Sequence, residues 1–238
     1  MFKPQMIAEN VKKIRERITA ACVEAGRKPD SVTLVAVSKT FGAERIKEAV
    51  DAGVLDVAEN YVQELLEKRE CVPDPRVRWH FIGHLQSNKV RFIADWISVI
   101  HSVDNTRVAE EIEKRAAKLD RKIHVFIEVN TSGEITKFGV TPEKAADLAK
   151  NIAAHSHLKV EGLMTVGPFS EDPAGSRRSF RLLRETFDKL NSAKILPEPM
   201  VHLSMGMSHD FPAAIAEGAT MVRIGTAIFG SRPKPIAH

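Results

Sequence analysis

Near the start of the chain, Ile7, Val11, Ile14 and Ile18 recur at spacings of four, three and four residues, the stripe of an amphipathic helix. It is expected to run from about residue 4 to residue 25 and to stop at Gly26 and Pro29. Then the pattern changes. Val32-Thr33-Leu34-Val35-Ala36-Val37 is apolar almost without alternation, rich in β-branched residues, and ends abruptly in Ser38-Lys39-Thr40. Such a run reads as a strand buried on both faces, which belongs in a parallel sheet covered by helices.

Helical and strand patterns alternate from there on. Helices are expected at about 43–52, 62–69, 87–93, 105–119, 142–154, 176–190 and 211–217. Strands are expected between them, at about 54–58, 78–82, 98–103, 123–129, 160–165, 201–204 and 221–224. Asp104 or Asn105 would cap the fourth of these helices, and Thr141 before Pro142 the fifth. Eight strands separated by helices imply an α/β fold closed into a (β/α)8 TIM barrel, with the leading helix added outside it or across its amino-terminal face. An open Rossmann-like sheet is the alternative, disfavoured because no Gly-x-Gly-x-x-Gly turn follows the first strand. No shift in composition marks a second domain, so residues 1–238 are expected to form one unit, with a leading helix over 1–26 and a loose tail over 231–238.

Composition narrows the class. The chain is 43% hydrophobic and 28% charged, ordinary for a soluble globular protein. No apolar stretch approaches the ~18 residues of a membrane span, and no signal peptide opens the sequence. Cys22 continues an apolar helix face and Cys71 sits near prolines, a pair that makes no disulfide framework. A cytoplasmic protein is expected. The net charge of +4 is mild, and Arg177, Arg178, Arg181 and Arg184 fall mostly opposite the stripe of Phe180, Leu183 and Phe187. That arrangement reads as a solvated helix face, so no nucleic-acid partner is expected.

In a parallel barrel, chemistry collects at the carboxyl ends of the strands. Lys39 ends the first, where apolar walls would lower its pKa and leave a nucleophilic amine; a plain exposed lysine is the other reading. Ser204-Met205-Gly206-Met207-Ser208 ends the seventh and Gly225-Thr226 the eighth. Barrels often bind phosphate at these turns, with the Ser204 and Thr226 hydroxyls as added donors and Gly225 allowing close backbone approach; both turns would also suit simple tight connections. Arg223 points away from Val222 and Ile224 and needs an acceptor: a carboxylate, a phosphate, a ring nitrogen, or a structural ion pair with Glu128 or Glu161. Amine, phosphate cup and arginine on one rim are what pyridoxal 5′-phosphate requires of a protein.

Six segments carry a resemblance. They are Val-Ala-Val-Ser-Lys-Thr (35–40), Glu-Asn-Tyr-Val-Gln-Glu (59–64), Trp-His-Phe-Ile-Gly-His-Leu-Gln-Ser-Asn-Lys (79–89), Gly-Leu-Met-Thr (162–165), Leu-Ser-Met-Gly-Met-Ser-His-Asp (203–210) and Arg-Ile-Gly-Thr-Ala-Ile-Phe-Gly (223–230). Together they resemble the YggS/PROSC family of pyridoxal phosphate homeostasis proteins over nearly the whole chain. The resemblance implies the type III fold of pyridoxal phosphate proteins, the barrel half of alanine racemases. It implies that Lys39 holds the cofactor as a Schiff base, that Arg223 faces the pyridine nitrogen, that Ser204, Gly225 and Thr226 hold the phosphate, and that Asn60 lines the ring site. Ala58 stands where the family commonly has glycine, a change expected only to perturb a turn.

The resemblance implies a role in cofactor balance without an established reaction, with cofactor-dependent apo-enzymes as possible recipients. Amino-acid racemisation is the alternative. It needs a second base, which alanine racemases take from a separate β domain, and Tyr61 and His84 are the only strand-end candidates. An arginine at the ring nitrogen also weakens the electron sink. Monomer is the expected state, since nothing caps the barrel mouth. His80-x-x-x-His84 has a metal-like spacing but lacks a third ligand, so no metal is expected. Lys137 lies on the loop after the fifth strand, either guiding an anion or simply solvated.

Overall fold

The computed structural model describes residues 5–168 and 173–231. The expected start of the leading helix at residue 4, and the tail from residue 232 on, lie outside the described residues. The strands are β1 (Thr33–Val37), β2 (Asp56–Glu59), β3 (Arg78–Phe81), β4 (Val99–Val103), β5 (Ile123–Glu128), β6 (Leu158–Met164), β7 (His202–Ser204) and β8 (Met221–Ile224). Each pairs in parallel with its neighbour in sequence, and β8 pairs with β1, so the sheet closes on itself. The α-helices are α1 (Gln5–Glu24), α2 (Ala43–Asp51), α3 (Val62–Cys71), α4 (Thr106–Lys118), α5 (Ala145–Ala153), α6 (Pro173–Ser192), α7 (Phe211–Ala216) and α8 (Thr226–Phe229). The TIM barrel expected from the alternating pattern is the fold observed.

Burial follows the strand pleat. Outward residues such as Ala36, Val57, Phe81, Ile100, Leu163, Val222 and Ile224 join the helices in the main apolar core. Inward residues Val35, Val37, Ala58, Phe126, Met164 and Met221 form a second, smaller cluster inside the barrel. Ala58 thus sits within β2, not in a turn as expected, and its methyl group packs in the barrel interior.

α1 lies outside the barrel, packed on α2, α7 and α8. Its apolar stripe is buried, Asn10 donates to Ile228 O at 2.9 Å, and the Arg17 guanidinium lies 4.6 Å from the Phe211 ring centre. α8 has only four residues, and α1 fills the flank it leaves bare. The segment after β3 is a 3-10 helix (Ser87–Phe92), and Asn105 caps α4 by accepting from Val108 N–H. The arginines of α6 are not simply solvated: Arg177, Arg181 and Arg184 converge on the buried Glu217 carboxylate, with contacts of 2.7, 3.1 and 3.8 Å.

One ionic network fixes the turn that carries Lys39. Glu59, at the end of β2, is fully buried. Its Oε1 accepts from the Ser38 hydroxyl and from Lys68 Nζ, the latter at 2.7 Å. Lys68 also donates to Ser38 O at 2.9 Å and to Glu64 at 2.8 Å. Glu64 in turn accepts from the N–H of Thr40, which sits in the left-handed region at φ 71°. A strained non-glycine residue of this kind persists only where its surroundings over-determine it. Here α3 clamps residues 38–40 from below.

Desolvation pushes the Glu59 carboxyl above its ordinary range despite Lys68. A group whose pKa is raised on folding contributes stability at low pH that is lost as pH rises through its folded value. Lys68→Met strands the carboxylate without its cation, so it is expected to cost about 3–5 kcal/mol at pH 8. The deficit should shrink at pH 5, where Glu59 is more readily protonated. Urea unfolding at both pH values checks this; a deficit that is small or independent of pH would contradict it.

Candidate functional site

A cleft of about 320 Å³ opens at the carboxyl end of the barrel between the turns after β1, β2, β7 and β8. Lys39, Asn60, Arg223, Gly225 and Thr226, all selected from sequence, line it together. The apolar part of the wall comes from Val37, Phe41, Ile82, Val166 and Met207. Lys39 reaches it because β1 ends at Val37 and the clamped turn projects the next residues over the barrel mouth. Asn60 follows β2 directly, and its buried Oδ1 has no hydrogen-bond partner among the described residues. A buried acceptor left unpaired costs about 1–3 kcal/mol, so it points to a group that would fill the cleft.

Arg223 is inward-facing on β8 and only 4% exposed. Its Nη1 donates to Ser204 Oγ and its Nη2 to Thr165 O, each at 2.7 Å. Neither acceptor is a carboxylate, so the ion pair weighed from sequence is not what holds it. Glu161 instead pairs with His124 and Lys159. Desolvation lowers the guanidinium pKa to about 10, against the attraction of Glu128 and Asp210. It therefore stays a cation at neutral pH. Glu128, buried nearby, is raised to about 7 by desolvation and by Asp104, with Arg223 opposing.

The two glycine turns meet. Gly206 has φ +92°, and a Cβ there would come within 2.6 Å of Ala214 Cβ, so only glycine lets the turn after β7 fold over α7. A Cβ at Gly225 would come 3.2 Å from Val37 O, so glycine lets β8 end close against β1. Ser208 Oγ accepts from Ala227 N–H at 3.3 Å and ties one turn to the other. Asp210 Oδ1 holds Met207 N–H at 2.6 Å. Ser204 does not line the cleft. It is fully buried beneath it, its hydroxyl engaged by Arg223 and by His101 at 3.0 Å.

Ser208 and His209 line the cleft but were not singled out from sequence. The Ser-Met-Gly-Met-Ser run marked the turn; it carried nothing to show which of its two serines faces the opening. The other candidates lie elsewhere. Tyr61 is exposed, not packed beneath α3. His84 stacks on Phe138 with ring centres 3.9 Å apart, and its Nδ1 lies 3.6 Å from Asp104. Lys137 donates to Gly167 O at 2.9 Å and pairs with Glu134. Both ring nitrogens of His80 are taken by Asp56 and His101, not shared with His84. Among the described residues no group of three or more acidic, His or Cys side chains could hold a metal ion, and no helix is long and apolar enough to cross a membrane.

Residues 3–233 match the alanine racemase N-terminal domain family. A pyridoxal phosphate homeostasis protein of Aquifex aeolicus is 46% identical over 94% of this chain and 97% of its own length. That of Pseudomonas aeruginosa is 44% identical over 95% and 96%. Among solved structures, PipY of Synechococcus elongatus with pyridoxal phosphate bound superposes with a TM-score of 0.82 at 33% identity, covering 94% of this chain and all of PipY. An alanine racemase of Clostridium difficile shares the fold at 18% identity and TM-score 0.73, with this chain spanning 59% of it. By sequence over nearly its full length, the chain belongs to the family of pyridoxal phosphate homeostasis proteins.

Proposed function

We propose that the protein binds pyridoxal 5′-phosphate in this cleft and serves its intracellular supply, holding the cofactor through Lys39 and buffering or delivering it without turning over a substrate of its own. The observation that carries this reading is the convergence of Lys39, Asn60, Arg223, Gly225 and Thr226 on one opening. The residues fit the group. The cleft has the volume of a small-ligand site, Asn60 presents an unpaired acceptor, and the joined turns after β7 and β8 offer hydroxyls and backbone to a phosphate. The relatives' name and the bound cofactor in PipY support the same choice.

When bound, the cofactor supplies an aldehyde that captures amines and a ring that withdraws electrons. Lys39 would present its amine to that aldehyde from the rim of the cleft. Val37, Phe41, Ile82 and Val166 give the ring an apolar wall. Arg223 is fixed by Thr165 O and Ser204 Oγ. Being charged, it can donate a hydrogen bond to a ring nitrogen and cannot accept a proton from it. A ring nitrogen held by such a donor would gain no proton from it, which would favour holding over turnover. Ser204 would contribute through Arg223, while Ser208, Gly225 and Thr226 would hold the phosphate.

A racemase reading gains one observation: His209 shares the cleft with Lys39, its Nε2 3.3 Å from Asp210. A histidine in that position is a base of the right kind for proton transfer at an amino-acid carbon.

Two measurements check the proposal. Borohydride reduction of the protein with pyridoxal phosphate should leave the cofactor on the peptide containing Lys39. Lys39→Ala should lose that adduct with its unfolding midpoint little changed; an adduct on another lysine would overturn the assignment. Incubation with amino acids in deuterated water should show α-proton exchange far below the ~1–10³ per second of ordinary enzymes. Exchange within that range, abolished by His209→Ala, would establish the racemase reading instead.

A further inference from the structure

A line of buried polar side chains crosses the barrel interior beneath the cleft. At the amino-terminal end Arg78 Nη2 donates to Asp56 Oδ2 at 2.5 Å. Asp56 Oδ1 meets His80 Nε2 at 3.0 Å, and His80 Nδ1 meets His101 Nε2 at 2.8 Å. His101 Nδ1 meets Ser204 Oγ at 3.0 Å, and Ser204 Oγ accepts from Arg223 Nη1 at 2.7 Å. His80, His101 and Ser204 are at most 1% exposed. Five residues from five strands, β2, β3, β4, β7 and β8, thus link the guanidinium in the cleft to the far end of the barrel.

The hydrogens can be placed by elimination. Arg223 can only donate to Ser204 Oγ, so the hydroxyl hydrogen needs another acceptor, and His101 Nδ1 is the one within reach. His101 therefore carries its hydrogen on Nε2 and donates to His80 Nδ1. Burial, which lowers the His101 pKa well below its ordinary value, agrees with a neutral ring there. His80 accepts at Nδ1, so its hydrogen sits on Nε2 and goes to Asp56. Burial raises the Asp56 carboxyl, but the hydrogen bonds from His80 and Arg78 hold it below the ordinary range. Every donor along the line points away from the cation and toward the carboxylate. In the reverse arrangement Arg223 and His101 would both aim hydrogens at Ser204, whose own hydrogen would need another acceptor in a fully buried site.

We propose that Asp56, His80 and His101 are positioning residues: they orient the Ser204 hydroxyl so that it accepts from Arg223, and so fix from within the barrel the guanidinium that faces the ligand's ring. This rests on the reading of the cleft as a pyridoxal phosphate site. It also accounts for a histidine pair that packing alone does not require. Phe126 stacks on His101 at 4.4 Å between ring centres, and an apolar side chain would fill that contact equally well.

The first test uses the protein without cofactor. Nitrogen-15 histidine NMR at pH 7 should show His101 neutral with its hydrogen on Nε2 and Nδ1 bare, and His80 accepting at Nδ1; a cationic His101, or one protonated on Nδ1, overturns the proposal. The second uses spectroscopic titration with pyridoxal phosphate. His101→Leu keeps bulk and loses both hydrogen bonds, and should weaken binding about tenfold while the Lys39 adduct still forms. His101→Gln keeps an acceptor and a donor at nearly the ring-nitrogen separation, and should recover affinity to within about threefold of the parent. No loss in the leucine variant, or equal loss in both, overturns the proposal. Should the leucine variant not fold, the NMR result on the parent decides alone. Failure of the parent to form any adduct on Lys39 would instead defeat the cofactor reading and leave the tautomer result standing.

Discussion

Closure of the sheet by β8 against β1 is the constraint on which the cleft depends. The register pairs Val35 with Arg223 and Ala36 with Ile224, so the end of β8 lies beside the end of β1. Gly225 has no side chain to hold the two backbones apart. An amine from the start of the chain and a guanidinium from its end are thereby placed on one wall. In an open sheet these strands would be opposite edges, and the same residues would serve no common ligand. The apolar cluster of Val35, Val37, Ala58, Phe126, Met164 and Met221 fills the interior and keeps the barrel round.

Two buried charges flank this seam, and the fold treats them differently. Lys68 is neutralised at once by Glu59 and Glu64, and its task is to hold a strained turn. Arg223 has no carboxylate on its hydrogen bonds; it spends them on a carbonyl and a hydroxyl and keeps a net charge facing the cleft. A desolvated, incompletely neutralised cation is costly for a core. Such a cost is tolerated where it prepares a site for a ligand with a matching acceptor. The relay behind Ser204 carries the same polarity through the interior to Asp56.

Much of this was legible in the pattern of residues. Unbroken apolar strands alternating with amphipathic helices specify a covered parallel sheet, and their number specifies closure. Lys39, Gly225 and Thr226 stood out because strand ends are where polar residues and glycines gather, Arg223 because a cation within a strand needs an acceptor, and Asn60 only through the family resemblance. Ser204 was assigned to phosphate because it begins a glycine turn; its depth below the cleft depends on how far β7 extends, which hydropathy does not report. His101 was invisible for a related reason. In Val99-Ile100-His101-Ser102-Val103 it is one inward residue among apolar neighbours, and its partner is His80 on the adjacent strand. Sequence spacing paired His80 with His84 four residues away, yet neighbouring strands bring together residues that spacing cannot associate. The convergence of three arginines on Glu217 was hidden likewise, since that carboxylate lies on a different element.

The central claim is that one rim holds the cofactor by its aldehyde, its ring nitrogen and its phosphate at once. A crystal structure of the protein grown with pyridoxal phosphate tests it most directly. The account predicts density continuous with Lys39 Nζ, the ring nitrogen within hydrogen-bond distance of Arg223, and the phosphate against Ser208, Gly225 and Thr226. Density for the cofactor in this cleft with Arg223 turned away from the ring, or bound only elsewhere on the molecule, would contradict it.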